Sequence, residues 1–335
     1  MSPFAGKLAV VTGGGSGMGR ELVRQLVAEG CSVAACDWNA DAISDTEAIA
    51  QSEATDSATV SGHVCDVSDE AQVKRFRDQA LQRHAADHVD LVFSNAGIGG
   101  GSSFVTGSRE EWERTFAIDW WSVYHCARTF LPLLIASGDG VLVNTSSVNG
   151  FWATLGPGMP NTAYATAKFA VKGFTEALIE DLRTNAPEVR VVLVMPGHVG
   201  TDIIANSRRA LGHPEPGDMS DAQLRELIPN EAQAKLVQAG LLAEGASTDD
   251  LRQLLARIET DFRDKAPLSA AAAATAILSG VSRGAWRILL GEDATTLDAA
   301  VRASPEAAYD YAALARLAAE AHSARQADTS EAPTT

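Results

Sequence analysis

Three groups of residues have the types and spacing to act together on a substrate. The first is Thr12-Gly13-Gly14-Gly15-Ser16-Gly17-Met18-Gly19-Arg20, which closes an apolar, β-branched run and opens a helical pattern. Glycines let the backbone approach a pyrophosphate, and a helix start offers unpaired N–H groups at its positive dipole end. The spacing is TGxxxGxG rather than plain GxGxxG. Alone, a glycine loop is often only a turn; between a strand and a helix it reads as a dinucleotide-binding loop. The second is Asp37, at the end of the next apolar run. A carboxylate there can accept both hydrogens of the adenosine ribose hydroxyls, and it repels a 2′-phosphate. Trp38 follows it and Ser16 puts no positive charge in the loop, so the pattern predicts NAD over NADP. The third is Tyr164-Ala165-Thr166-Ala167-Lys168. Residues four apart share a helix face, so the ammonium lies beside the phenol. It favours the phenolate and lowers the Tyr164 pKa from its usual ~10, which makes Tyr164 a general acid/base.

These groups need elements to position them. Strand-like runs are Leu8–Thr12, Ser32–Cys36, Val60–Cys65, Leu91–Ser94, Gly140–Thr145, Val189–Met195 and Trp286–Leu290. Helical spacing fills the intervals at Arg20–Glu29, Glu70–His84, Glu110–Ala136 and Ala163–Arg183. This alternation predicts an α/β fold, a parallel sheet covered by helices on both faces. Residues Ala205–Pro267 break it: rich in Leu, Ala, Glu and Gln, they read as an insertion of two or three helices. Pro305–His322 reads as one Ala-rich helix, with Ser304-Pro305-Glu306 as its start signal. Residues 323–335 are small and polar and are expected to be disordered.

Composition narrows the function classes. The 335 residues carry 43 Asp and Glu against 27 Lys and Arg, a formal charge of −16. That surplus argues against nucleic acid, which needs clustered cations, and against an anionic membrane surface. No segment reaches the ~18 consecutive apolar residues of a membrane span. No basic, then apolar leader opens the sequence, so a cytoplasmic location is expected. Cys31, Cys36, Cys65 and Cys126 form no CxxC pair and have no zinc-site spacing with His, so reduced, buried thiols and no metal are expected.

Taken together, the motifs resemble the short-chain dehydrogenase/reductase family, from Lys7 to about Gly291. Besides the glycine loop, Asp37 and the Tyr164/Lys168 pair, the resemblance rests on four further motifs. They are Asp66-Val67, Asn95-Ala96-Gly97, Ser146-Ser147 and Pro196-Gly197-His198-Val199-Gly200-Thr201. It implies a Rossmann-like, doubly wound sheet of about seven strands. One domain over residues 1–322 would then carry a helical lid at 205–267 and a C-terminal helical extension at 292–322. By the same resemblance, Tyr164 exchanges the proton with the substrate oxygen, Lys168 lowers its pKa and holds the nicotinamide ribose, and Ser147 orients the substrate. Asp66 and Val67 contact adenine, and Val199 and Thr201 contact the carboxamide. The pattern departs from the family at Asp119, within Ile118-Asp119-Trp120-Trp121, where an Asn is usual. Asp119 keeps the acceptor oxygens and loses the amide donor unless protonated; it is expected to accept the water that the Asn would hold.

The implied reaction is NAD-dependent hydride transfer between nicotinamide and a secondary alcohol or ketone. Trp152, Met159 and His198 are candidate substrate contacts, and with the long insertion they favour a medium or bulky, apolar or aromatic substrate. The rivals are reduction of an acyl-carrier thioester ketone and a silent NAD-binding sensor or scaffold. Family resemblance also implies a homodimer or homotetramer paired through Glu110–Ala136 and Ala163–Arg183.

Overall fold

A computed structural model describes residues 2–55, 58–100 and 103–330, and the side chains within them up to residue 320. Seven strands form one parallel sheet. They are β1 (Leu8–Thr12), β2 (Ser32–Asp37), β3 (Val60–Val64), β4 (Leu91–Ser94), β5 (Gly140–Thr145), β6 (Val189–Pro196) and a last strand, Arg287–Leu290. Their order is β3-β2-β1-β4-β5-β6-last. The order reverses between β1 and β4, and a ligand crevice in a doubly wound sheet opens at the carboxyl ends of the strands flanking such a reversal.

Strand side chains alternate between two cores, as a sheet buried on both faces requires. Ala9, Val11, Val33, Phe93, Val143 and Val194 face one core with helices α1 (Gly17–Ala28), α2 (Ala40–Glu53) and a late helix, Ala270–Ser282. Val10, Ala34, Cys36, Val92 and Leu142 face the other, against α3 (Glu70–His84), α5 (Ser122–Ser137) and α6 (Thr162–Asn185). Each fully buried Leu, Val or Phe contributes about 1.5–3 kcal/mol. The four cysteines are buried and unpaired. No helix among the described residues is long and apolar enough to cross a membrane.

Several elements differ from the sequence reading. The long helix expected at Glu110–Ala136 is α4 (Arg109–Phe116) and α5, joined without a break by a π-helical turn at Ala117–Trp121. The insertion holds four helices, α7 (Ile203–Ala210), α8 (Asp221–Leu227), α9 (Asn230–Gln238) and α10 (Thr248–Asp264). A short ladder of β7 (Val199–Gly200) with β8 (Leu268–Ser269) ties its two ends together, completing the strand count with the last strand as β9. After β8 come α11 (the late helix Ala270–Ser282), then α12 (Glu292–Ala303) beyond β9, and α13 (Tyr311–Ser330). The final helix starts six residues later than Pro305, because Asp310 accepts the N–H groups of Ala312 and Ala313 at 3.1 and 3.0 Å and caps it there. It continues through residues 323–330, where disorder is expected from composition; residues 331–335 lie outside the described residues.

The insertion has a core of its own, made of Met219, Leu224, Ile228 and Leu251. Leu224 and Leu251 are almost fully enclosed. Leu251→Ala should therefore cost about 2–5 kcal/mol within the insertion. Limited proteolysis should cut residues 210–245 well before the sheet unfolds, with little change in the main thermal transition. Equal loss of protection throughout the chain would contradict a separate core.

Candidate active site

The reversal between β1 and β4 opens into a cavity of about 370 Å³. One wall is the glycine loop, with Gly13, Gly15, Ser16, Gly17 and Met18. The far ends are Asp37, Asp66 and Val67 on one side and Asn95, Ala96 and Gly97 on the other. Thr201 and the start of α7 complete it. Gly13 has φ +66°, and a Cβ there would lie 2.8 Å from the Ala96 Cα. Only glycine allows β1 and β4 to meet this closely while the loop turns. Gly19 sits beneath the loop, against the Gly13 carbonyl. Ser16 is the N-cap of α1 but makes no side-chain cap, and the first turn of α1 has no acidic residue. Its N–H groups stay open to an anion.

Asp37 stands at the β2 end. Its Oδ2 accepts the Gly15 N–H at 3.0 Å and its Oδ1 accepts the Asn39 N–H at 3.0 Å. Burial raises its pKa above the usual carboxylate range, against the pull of those N–H groups and of Arg20. Arg20, which the sequence reading did not weigh, also lines the cavity. Its guanidinium is held by the Gly15 carbonyl at 2.6 Å and the Thr46 hydroxyl at 2.9 Å. Asp66 pairs with Arg114 at 2.9 Å and accepts from the Ser68 hydroxyl at 2.6 Å. Burial would raise its pKa, but Ser68 and Arg114 outweigh that and hold it low. Asn95 donates to the Thr12 carbonyl at 3.2 Å, and its buried Oδ1 has no partner. These residues fit a dinucleotide: an uncapped helix start for phosphate, a carboxylate for ribose and an orphaned acceptor at the switch point.

Behind Gly97 lies a buried ion pair. Lys168 is 3% exposed and Asp119 is 0% exposed, and Nζ lies 3.0 Å from Asp119 Oδ1. The ammonium also donates to the Thr145 carbonyl at 3.3 Å and lies 5.4 Å from the Tyr164 ring centroid. A Cβ at Gly97 would stand 2.7 Å from Asp119 Oδ1 and 3.2 Å from Lys168 Nζ. Asp119 Oδ1 further accepts the Ile98 N–H at 3.2 Å, and Oδ2 is buried without a partner. The carboxylate belongs to the π turn, whose wider backbone spacing displaces Asp119 from an ordinary helical position. Sequence-stretch patterns do not reveal such a turn. Ser147 hydrogen-bonds the Tyr164 phenol, and its oxygen accepts the Asn149 N–H at 3.1 Å.

The electrostatics correct one expectation. Lys168 does not bring Tyr164 below its ordinary pKa. Burial raises the phenol, the Asp119 carboxylate adds to the rise, and Lys168 and the Ser147 hydrogen bond offset only part of it. Burial would lower Lys168, yet Asp119 and Tyr164 outweigh it and raise it. Burial also pushes Asp119 up to about 6, against the pull of Lys168 and the Ile98 N–H.

The remaining candidates lie further out. Pro196 ends β6, and Gly197 is pressed against the Asp293 carboxylate, which accepts the His198 N–H at 2.7 Å. Val199 is buried in the short ladder. The His198 imidazole turns to the insertion, 2.8 Å from the Phe262 carbonyl, with ring centroids 4.2 Å apart. Trp152 donates to the Ala308 carbonyl at 2.7 Å and packs edge-on against Tyr311, so the C-terminal extension holds it. Met159 is half exposed. Residues that sequence reasoning missed are Ile98, Ile118, Ile203, Asn206 and Arg209, all lining the cavity. Their motif signal is weak; Ile203, Asn206 and Arg209 reach the cavity only because α7 packs against the loop.

Comparison with known proteins agrees with this geometry. The short chain dehydrogenase family model matches residues 7–212. The chain belongs to the short-chain dehydrogenase family. A Mycobacterium tuberculosis protein named as an oxidoreductase, SadH, is 36% identical over 212 residues, 63% of this chain and 74% of that one. A 3alpha-hydroxysteroid dehydrogenase of Mediterraneibacter gnavus is 30% identical over 231 residues, 65% and 88% of the two chains. The crystal structure of a Burkholderia phymatum family member in complex with NAD superposes with a TM-score of 0.70 at 30% identity, covering 92% of this chain and 95% of that chain. As a family member, the chain is an oxidoreductase that binds a nicotinamide dinucleotide.

Asp119 makes the site testable. Its negative charge disfavours the phenolate, so Asp119→Asn should lower the Tyr164 pKa. In alcohol oxidation the rising limb of kcat/KM against pH should move to lower pH, with activity at the optimum changed by less than about tenfold. A limb that stays put or moves upward would refute the coupling. Asp119→Ala leaves the Lys168 ammonium buried and unpaired and should cost about 3–5 kcal/mol in chemical denaturation.

Proposed function

We propose that the protein is an NAD-dependent dehydrogenase or reductase of a secondary alcohol or ketone, with a medium or bulky, apolar substrate. The observation that carries the reading is the Ser147–Tyr164–Lys168 cluster, whose Lys168 ammonium stands against Gly97 in the cavity wall. Gly13 to Met18 would hold the phosphates, Asp37 the adenosine ribose, Asp66 and Val67 the adenine, and Lys168 the nicotinamide ribose. When bound, the nicotinamide supplies hydride exchange, and its oxidised ring brings a positive charge. Tyr164 moves the proton at the substrate oxygen. Ser147 orients that oxygen, while its own oxygen accepts the Asn149 N–H. Lys168 stabilises the phenolate.

Asp37 supports NAD over NADP, because a 2′-phosphate would face a carboxylate and the guanidinium of Arg20 is already held by backbone. Ile98, Ile118 and Ile203 support an apolar substrate end, as does the hydroxysteroid named in one relative. The insertion would act as a lid over that end, within a single catalytic domain. Trp121 and Phe169, both about two-fifths exposed on α5's approach and α6, support pairing of two chains there.

The test is a panel of secondary alcohols and ketones, cyclic and steroidal ones included, followed by nicotinamide absorbance with NAD and NADP in parallel. NAD should be preferred; a clear NADP preference would refute the Asp37 reading, and turnover confined to acyl thioesters would favour the rival reductase. Tyr164→Phe should lose about 10²- to 10⁴-fold in turnover while still binding NADH. Full activity in that variant would sink the assignment of Tyr164.

A further inference from the structure

The cavity wall opposite the glycine loop belongs to the insertion. Asp202, Ile203, Asn206, Arg209 and Ala210 line it. Asn206 Nδ2 donates to the Ser16 hydroxyl at 3.0 Å, which occupies the N-cap oxygen that would otherwise close α1. Asn206 Oδ1 in turn accepts from Arg209 Nη1 at 2.8 Å. A chain of two hydrogen bonds thus runs from an arginine on α7 to the phosphate loop.

Three arginines line the cavity, and their commitments differ. Arg20 is bonded to the Gly15 carbonyl and to Thr46 behind the loop. Arg114 is paired with Asp66 and bonded to Ser68 at the adenine end. Arg209 has an exposed ion pair, to Glu215 Oε1 at 3.1 Å, with both side chains more than two-fifths exposed. Such a pair is worth about 0–1 kcal/mol and exchanges easily. Glu215 would not be stranded by the exchange, because Arg208 also pairs with it. Arg208 is itself nearly buried and held by Glu259 at 2.9 Å, so it stays in place.

We infer that Arg209, positioned by Asn206, is a lid-borne clamp for the pyrophosphate of the dinucleotide: it leaves Glu215 and closes α7 onto the phosphates. The inference rests on the dinucleotide-binding reading above and adds the residue that couples lid closure to the ligand's charge. Two phosphate charges entering a protein of net charge −16 gain a cation from the lid, where the loop offers only N–H groups. Asp37 assigns the clamp to the pyrophosphate rather than to a 2′-phosphate, since the carboxylate holds the ribose end.

The test is binding, measured by calorimetry on the full chain with NADH, ADP-ribose, adenosine and NADPH as probes. Arg209→Met should weaken NADH and ADP-ribose about tenfold or more, and adenosine less than about twofold. Arg209→Lys should recover part of the loss. Glu215→Gln, which frees Arg209, should bind NADH as tightly as the parent or more tightly. If Arg209 merely props the lid through Glu215, Glu215→Gln will weaken NADH as Arg209→Met does, and the clamp is refuted. It is equally refuted if Arg209→Met weakens only NADPH, or weakens adenosine as much as ADP-ribose. A parent protein that binds none of the dinucleotides would instead overturn the underlying reading.

Discussion

A lysine ammonium removed from water must have a negative partner, and this constraint organises the structure behind Gly97. Lys168 and Asp119 are both buried, 3.0 Å apart. Burial alone would lower the lysine's pKa, and Asp119 together with Tyr164 more than offsets it. Asp119 can reach the lysine because a π turn displaces the carboxylate between α4 and α5. Gly97 must lack a side chain because both charged atoms crowd its Cα. The carboxylate that keeps the lysine charged also repels a phenolate, so the pair both supports and restrains the tyrosine. Net catalysis then depends on what further positive charge enters the cleft.

The sheet was legible in the sequence, and the reason is burial on both faces. Leu8–Thr12, Leu91–Ser94 and Gly140–Thr145 stand at the bounds their apolar runs suggest, since continuous burial needs continuous hydrophobicity. Glu70–His84 was equally plain, with Asp69 capping its start. The glycine loop, Asp37 and the Tyr164/Lys168 pair stood out because each sets particular residue types at a particular spacing, whereas Ser147 stood out only through the family resemblance. The π turn was not legible, since one extra residue in a helical turn leaves the apolar period almost unchanged. Nor was the raised Tyr164 pKa: spacing reveals the lysine on the same helix, whereas burial and a carboxylate from another helix are tertiary facts.

The insertion shows the same division. Its helical character was readable from composition, but its closure by the Val199–Gly200 and Leu268–Ser269 ladder joins residues almost seventy positions apart, which no local pattern reports. His198 and Trp152 were read as substrate contacts because they neighbour motifs. The structure gives both side chains other partners, Phe262 and Ala308. A residue beside a motif shares its backbone position; its side chain follows the packing around it.

The contact between the segment after Ser147 and the C-terminal extension has a consequence for the order in which the protein matures. Trp152 bonds to the Ala308 carbonyl and the Ala153 N–H to the Tyr309 hydroxyl, each across 156 positions of sequence. Thr154 lies 3.4 Å from the Tyr311 hydroxyl in the same way. Closing so long a loop is slow and requires that both ends exist. During synthesis, the glycine loop and the first strands can pair as they emerge, whereas the segment after Ser147 gains these contacts only once residues 308–311 have emerged. The nascent chain therefore shapes the cleft around the glycine loop before the segment after Ser147 is enclosed.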